Sequence, residues 1–297
     1  DTADKITKAI KEVIKIILSG IQSTNYPISI TEQENIKMEY MKVLWGKEYV
    51  GGKNIYPKNF VGPSSYTLQM ENIIPINPDL DIPNINNDYT VTDKADGERK
   101  LLFISSKGKI YLIDTNMNIQ FTGSKTNNNE LFNSILDGEH ILNDKKGNYI
   151  NLYAAFDIYY IKNIDVRGFQ FSSNDSQDLE TKYRLSLLTN FIKNLNSISI
   201  IDNQKSPIRI ERKKFYLSDE TNKIFNGCNI ILRNIEKNVY EYETDGLIFT
   251  PAKLPVGVNN KDDIPDKPIK KTWEHSFKWK PQEFNTIDFL ITIKKDE

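Results

Sequence analysis

Apolar residues recur at helical spacing from the start of the chain. Ile6, Ile10, Val13, Ile14 and Ile17 fall on one stripe, and Ser19-Gly20 closes the pattern with a residue suited to a left-handed C-terminal cap. A second amphipathic helix follows, with Thr31-Glu32-Gln33-Glu34 reading as a capping box and Ile36, Tyr40, Val43 and Leu44 on the face behind it. Both read as packing helices, a lead-in over residues 1–58 that lies on the core. Residues 51–87 are rich in Gly, Pro and Asn and predict connection, with one short strand over 66–70.

Beyond that point the period drops to two. Residues 99–104 and 109–113, joined by Ser105-Ser106-Lys107-Gly108, predict a hairpin, and 119–121 a further strand. Residues 134–141 predict a strand in which Asp137 and Glu139, two apart, share a face. Such a pair either holds Mg²⁺ or a sugar hydroxyl or lies on a solvated face. Residues 152–158 are apolar enough for a central strand; Ala154 and Ala155 leave room for a flat base beside Tyr153 and Phe156, with core packing of the two rings as the rival. Helices are predicted over 178–192 and 219–235, Gly227 being the weak point of the second. A strand with a basic middle, Arg212-Lys213-Lys214, lies between them. Residues 244–251 form another acid-bearing strand, 253–271 read as an exposed, mobile loop, and Phe277-Lys278-Trp279-Lys280-Pro281 alternates so that Lys278 and Lys280 share a face.

Composition narrows the function classes. A 38% hydrophobic and 27% charged chain of 297 residues is an ordinary globular one. Lys and Arg number 39 against 40 Asp and Glu, a net charge of −1 that argues against a broadly basic nucleic-acid coat and leaves room for a local basic cleft. The single cysteine, Cys228, excludes an internal disulfide and a cysteine-rich metal site and fits a reducing, cytoplasmic setting. The apolar run over 13–18 is interrupted by Lys15, too short to span a bilayer, and unlike a secretory leader. The chain opens on Asp1 rather than Met and reads as an excised fragment.

Two histidines, His140 and His275, are too few for a persuasive zinc site or a serine-histidine triad. The sequence has neither G-x-x-x-x-G-K-[ST] nor G-x-G-x-x-G, so any phosphate falls to side-chain cations. The stretch Lys94-Ala95-Asp96-Gly97-Glu98-Arg99 follows an extended run and sets a primary amine at the mouth of a sheet. Taken alone it is most often a surface turn. A free lysine, with a pKa of about 10.4, is neutral in only about one molecule in a few thousand at pH 7. A nucleophilic role therefore requires other cations nearby, each worth up to ~4 kcal/mol at about 4 Å and an effective dielectric near 20. Lys278 and Lys280 are the cations available for it.

The ordered segments resemble the covalent nucleotidyltransferases, the superfamily of mRNA capping guanylyltransferases and polynucleotide ligases. Lys94 to Arg99 is similar to motif I, Leu136-Asp137-Gly138-Glu139 to motif III, Ala155-Phe156-Asp157 to motif IIIa, Asp245-Gly246-Leu247-Ile248-Phe249 to motif IV and Lys278-Trp279-Lys280-Pro281 to motif V. One such tetrapeptide is weak; five in this order are specific. The capping branch is favoured by Asp before the motif IV glycine, by Lys-Trp-Lys-Pro, by Asn285-Thr286-Ile287-Asp288-Phe289 and by Phe60-Val61-Gly62-Pro63-Ser64. The lead-in with Gln22-Ser23-Thr24-Asn25-Tyr26-Pro27-Ile28 resembles the multifunctional capping enzymes of large DNA viruses.

The resemblance implies an α+β fold, with a nucleotidyltransferase domain of largely antiparallel sheets flanked by helices over 59–284. Residues 285–297 would be barely one strand of the family's C-terminal OB-fold lid, which is otherwise missing. It implies GTP as substrate with Mg²⁺ or Mn²⁺, Lys94 as nucleophile forming lysyl-GMP, and transfer of GMP to the 5′-diphosphate end of RNA. Lys278 and Lys280 would bind phosphates and activate Lys94. Arg99 and Glu139 would place the ribose and Phe156 would stack on guanine. Lys213 or Lys214 would read guanine O6, Asp245 with Glu139 would hold metal, and Asp288 would join the nucleotide site. Triphosphatase and methyltransferase domains of the same polypeptide are implied partners, in host cytoplasm or virion and away from any membrane. The alternatives are an ATP-dependent DNA or RNA ligase domain and a non-catalytic nucleotide-binding module.

Overall fold

The computed structural model describes residues 2–51, 55–74, 82–173, 182–218, 223–265, 270–284 and 291. Helices α1 (Thr2–Gln22) and α2 (Ile30–Trp45) lead the chain. Strands β1 (Ser64–Thr67), β2 (Tyr89–Ala95), β3 (Glu98–Ile104), β4 (Lys109–Asp114), β5 (Ile119–Lys125), β6 (Ser134–Asn143), β7 (Tyr149–Ile161) and β8 (Ile164–Asp165) follow. After α3 (Arg184–Asn194) come β9 (Ile198–Ser199), β10 (Arg209–Arg212), β11 (Tyr216–Leu217), α4 (Ile224–Glu236), β12 (Thr244–Pro251) and β13 (Thr272–Trp279). One sheet runs β1-β13-β12-β2-β11; the other runs β10-β7-β6-β3-β4-β5-β9, with β8 on β7. Among the described residues all strand pairings are antiparallel except β1 with β13 and β10 with β7. The α+β class and the largely antiparallel sheets are as expected.

Strand alternation divides the core. From β3, Leu101 and Phe103 join the cluster under α2 with Ile36 and Tyr40, while Leu102 and Ile104 point the other way and pack with Leu188 and Phe191 of α3. Helix α4 covers the outer face of the five-stranded sheet, packing Ile224, Cys228 and Ile231 on Val91, Leu247 and Phe249. Gly227 does not break this helix; a side chain there would press within 2.7 Å of Tyr216, so the glycine lets α4 approach β11. The hairpin of β3 and β4 has the expected turn, and β12 matches its predicted bounds.

Four expectations change. Helix α1 exists, but it buries none of its residues, and Ile6, Ile10, Val13, Ile14 and Ile17 are all exposed; Gly20 lies inside it. Periodicity reports an amphipathic face, not what covers it. The α2 cap is Ser29, whose Oγ accepts from Glu32 N at 3.1 Å, two residues before the capping box expected from Thr31. Glu32 instead accepts from Lys109 Nζ and Tyr111 Oη, each at 2.8 Å. The strand expected over 208–216 divides into β10 and β11, one in each sheet. The segment following β12 is not an exposed loop throughout: Ala252, Val256 and Val258 are buried, held by Phe171 N to Ala252 O (2.9 Å), Val256 N to Arg167 O (2.9 Å) and Trp273 Nε1 to Val258 O (2.8 Å). Among the described residues no helix is long and apolar enough to cross a membrane.

Candidate active site

The two sheets face each other across a cavity of about 220 Å³. The five-stranded sheet contributes Thr92 and Lys94 from β2, Ile248 and Thr250 from β12, and Ser276 and Lys278 from β13. The other supplies Arg99, Glu139 and Phe156 from β3, β6 and β7, and Lys213 enters beyond the end of β10.

Lys94 Nζ donates to Asp245 Oδ1 at 2.6 Å, and Lys280 Nζ lies 2.7 Å from Oδ2 of the same carboxylate. Burial alone would raise the pKa of Asp245, but hydrogen bonds from Lys280 and Lys94 outweigh it and hold the carboxyl below its usual range. A β-bulge creates this contact. Thr244 pairs with Ala95 and Leu247 with Asp93, so Asp245 and Gly246 together oppose the single residue Lys94. Gly246 has φ of 143°, and a Cβ there would stand 1.9 Å from the Trp279 carbonyl oxygen. Only glycine lets β13 close on the bulge and bring Lys280 to Asp245. Lys278 borders the cavity with no ion-pair or hydrogen-bond partner for its ammonium among the described residues.

The opposite wall is built on Arg99. Opposed pairs in β3 and β6, Arg99 with Glu139 and Leu101 with Asp137, put both acids on the face of Arg99, as their spacing predicts. Their fates differ. Asp137 is fully buried and accepts from Arg99 through Nε (3.1 Å) and Nη2, and from Tyr159 Oη at 2.6 Å, so it is committed to the fold. Arg99 Nη1 donates to the Pro63 carbonyl at 2.9 Å, and its guanidinium lies 5.5 Å from the Phe60 ring and 5.8 Å from Phe156. Gly62, at φ of 115°, allows the loop to pass over this pair, since a Cβ would sit 2.8 Å from Arg99 Nη2. Glu139 remains at the cavity; burial pushes its carboxyl up to about 7, against the pull of Lys213 and Lys94.

Phe156 reaches the cavity through a second bulge. Asp137 pairs with Asp157 and Gly138 with Ala155, leaving Phe156 as the extra residue of β7, re-aimed inward. Asp157 carries an ion pair with buried Arg184 (2.9 Å). Of the two adjacent lysines, Lys213 is buried and borders the cavity, whereas Lys214 is exposed, its Nζ 4.9 Å from the Tyr216 ring centroid, and does not line the cavity. Asp288 lies outside the described residues.

Sequence reasoning missed Asp93. Lys213 Nζ lies 2.9 Å from Asp93 Oδ2, to which Tyr242 Oη also donates at 3.1 Å. The neighbouring acid before Lys94 was the available signal, but its partners lie 120 and 149 residues away. Among the described residues no group of three His, Cys, Asp or Glu side chains is placed to hold a metal.

The family model "mRNA capping enzyme, catalytic domain" matches residues 29–282. A probable mRNA-capping enzyme of Acanthamoeba polyphaga mimivirus is 28% identical over 314 residues, covering 93% of this chain and 24% of that protein. The mRNA-capping enzyme of Danio rerio is 28% identical over 220 residues, covering 70% of this chain and 32% of that protein. The chain thus spans about a quarter to a third of these relatives' length. Among solved structures, mycobacterial DNA ligase D complexed with ATP and MES aligns at 12% identity over 75% of this chain and 60% of that one, with a TM-score of 0.42.

Proposed function

Because the chain belongs to the mRNA capping enzyme catalytic-domain family, we propose that it is a GTP:RNA guanylyltransferase domain working through Lys94. One observation supports the reading: Lys94 at the cavity wall shares the Asp245 carboxylate with Lys280, and Lys278, on the same sheet, borders the cavity with no ion-pair partner among the described residues. Lys94 Nζ gives up a proton to solvent and attacks the α-phosphorus of GTP; the N–P bond forms as the P–O bond to pyrophosphate breaks, pyrophosphate leaves and a lysyl-GMP phosphoramidate remains. The GMP then passes to the 5′-diphosphate end of RNA. Lys278 and Lys280 bind phosphate and offset charge developing on the transferred group. Phe156 stacks on the base, Arg99 backs it, and Glu139 accepts from the ribose.

The donor set fits a divalent cation of the Mg²⁺ or Mn²⁺ type held mainly by nucleotide phosphates, which takes only one or two protein carboxylates. Asp245 and Glu139 would supply them. Bound there, the ion would neutralise phosphate charge. The length of the relatives supports further domains on the same polypeptide, triphosphatase and methyltransferase being our reading, in host cytoplasm or virion.

The test is incubation with α-labelled GTP or ATP and Mg²⁺. Denaturation-stable label from GTP, absent in Lys94→Ala, is expected. Label from ATP alone would assign a ligase domain instead.

A further inference from the structure

Lys213 comes to the cavity already engaged. Besides its 2.9 Å contact with Asp93 Oδ2, its Nζ donates to the Asp93 carbonyl oxygen, and the two side chains are only 4% and 3% exposed. The carboxylate is fixed in turn: Tyr242 Oη donates to Oδ2 at 3.1 Å and Thr92 Oγ1 to Oδ1 at 3.3 Å. The Lys213 main chain is pinned by its N–H to the Ala155 carbonyl at 2.8 Å. An ammonium has three protons. Two are spent on Asp93, which leaves one where Lys213 borders the cavity.

The lysines of this cavity are therefore not equivalent. Lys94 and Lys280 share one carboxylate and Lys278 has none among the described residues, so that side carries excess positive charge suited to phosphates. Lys213 and Asp93 cancel, and what Lys213 offers is a directed hydrogen bond. The sheet order β13-β12-β2-β11 sets Lys278, on β13, two strands from Asp93, on β2, while Lys94 joins Lys280 by reaching toward β12 at Asp245. Strands lie about 4.8 Å from their neighbours, so β13 and β2 are separated by roughly 10 Å, with Lys213 on the far side of β2.

We propose that Asp93 and Tyr242 are positioning residues for nucleotide selection. They hold Lys213 as a charge-compensated, single-proton donor aimed at the 6-carbonyl oxygen of a purine nucleotide, where a 6-amino group would bring donor against donor. This rests on the guanylyltransferase reading. A buried site built around one directed hydrogen bond discriminates strongly, because the wrong base leaves that donor unpaired.

The experiment measures dissociation constants of GTP, ITP and ATP for the chain and for Lys213→Met, Tyr242→Phe and Asp93→Asn, with kcat and KM of GMP labelling in parallel. Wild type should favour GTP and ITP over ATP, and Lys213→Met should abolish that preference. Tyr242→Phe, which keeps the ion pair but frees its carboxylate, should reduce it roughly threefold to tenfold through KM with kcat unchanged. If Asp93→Asn does not fold, the Asp93→Asn/Lys213→Met double variant removes both charges together and should match Lys213→Met. The positioning role is overturned if Tyr242→Phe keeps wild-type preference while Lys213→Met loses it. If Lys213→Met itself retains the preference, the placement of the base falls, and the positioning role with it.

Discussion

Replacing Glu139 with Gln should make the protein more stable above neutral pH while weakening its hold on nucleotide. Burial raises this carboxyl from 4.5 to about 7. Between those values the folded state carries a proton that the unfolded chain has lost, so stability falls as pH rises through the window. At about 1.36 kcal/mol for each pH unit of that window, the loss is about 3 kcal/mol, fully expressed above pH 7 and absent below 4.5. Glutamine fills the same space and cannot ionise. For a domain of this size 1 kcal/mol moves Tm by about 2–4 °C, so the gap between Glu139→Gln and wild type should widen by about 6–12 °C from pH 5 to pH 8. Thermal unfolding across that range reads it directly. Two parallel Tm curves would show that Glu139 ionises freely in the folded state, and the electrostatic account of the cavity would be wrong. The same scans with GTP should show a smaller ligand-induced rise in the variant.

Asp137→Asn removes a fully buried carboxylate from its pair with the partly buried Arg99 guanidinium, a loss of about 3 kcal/mol to be read by urea unfolding. An unchanged midpoint would mean that a neutral amide oxygen satisfies Arg99 as well as the carboxylate does. Gly246→Ala places a methyl against the Trp279 carbonyl at a backbone angle that costs about 1–3 kcal/mol by itself. The clash pushes β13 outward, so phosphate binding through Lys278 and Lys280 should fall further than stability does. Titration with pyrophosphate compares the two, and wild-type affinity would refute the bulge as the device that aims Asp245.

The parts of the site readable from the sequence are those fixed by strand period and local turn chemistry. Lys278 and Lys280 follow from alternation in β13, the common face of Asp137 and Glu139 from spacing in β6, and the amine of Lys94 from the turn behind it. What was not readable depends on interruptions of that period. Phe156 reaches the cavity because β7 carries one residue more than β6 at that point, and alternation alone cannot tell which residue of an apolar strand is the extra one. Gly246 did carry a signal, since a glycine inside a strand pattern marks a bulge or a close backbone approach. The Asp93, Lys213 and Tyr242 cluster unites three distant segments, and nothing local to any one of them names the others. Likewise the choice between Lys213 and Lys214 required knowing which side of β2 the segment before β11 crosses.

The shared carboxylate of Asp245 bears on how an amine held in an ion pair can become a nucleophile. If Lys94 were the only cation on Asp245, turning it toward phosphorus would strand a carboxylate that is only 12% exposed, and breaking such a pair is costly. Lys280 would remove that obstacle, because its bond is to the second oxygen and does not depend on Lys94. In the proposed reaction, the residue that neutralises Asp245 in the resting arrangement would also keep it compensated during attack. Lys278, with no carboxylate partner among the described residues, would then be left to draw the phosphates in. Two cations sharing one acid, one on each oxygen, would thus distinguish a lysine able to leave its carboxylate from one held alone by it, as Lys213 is by Asp93.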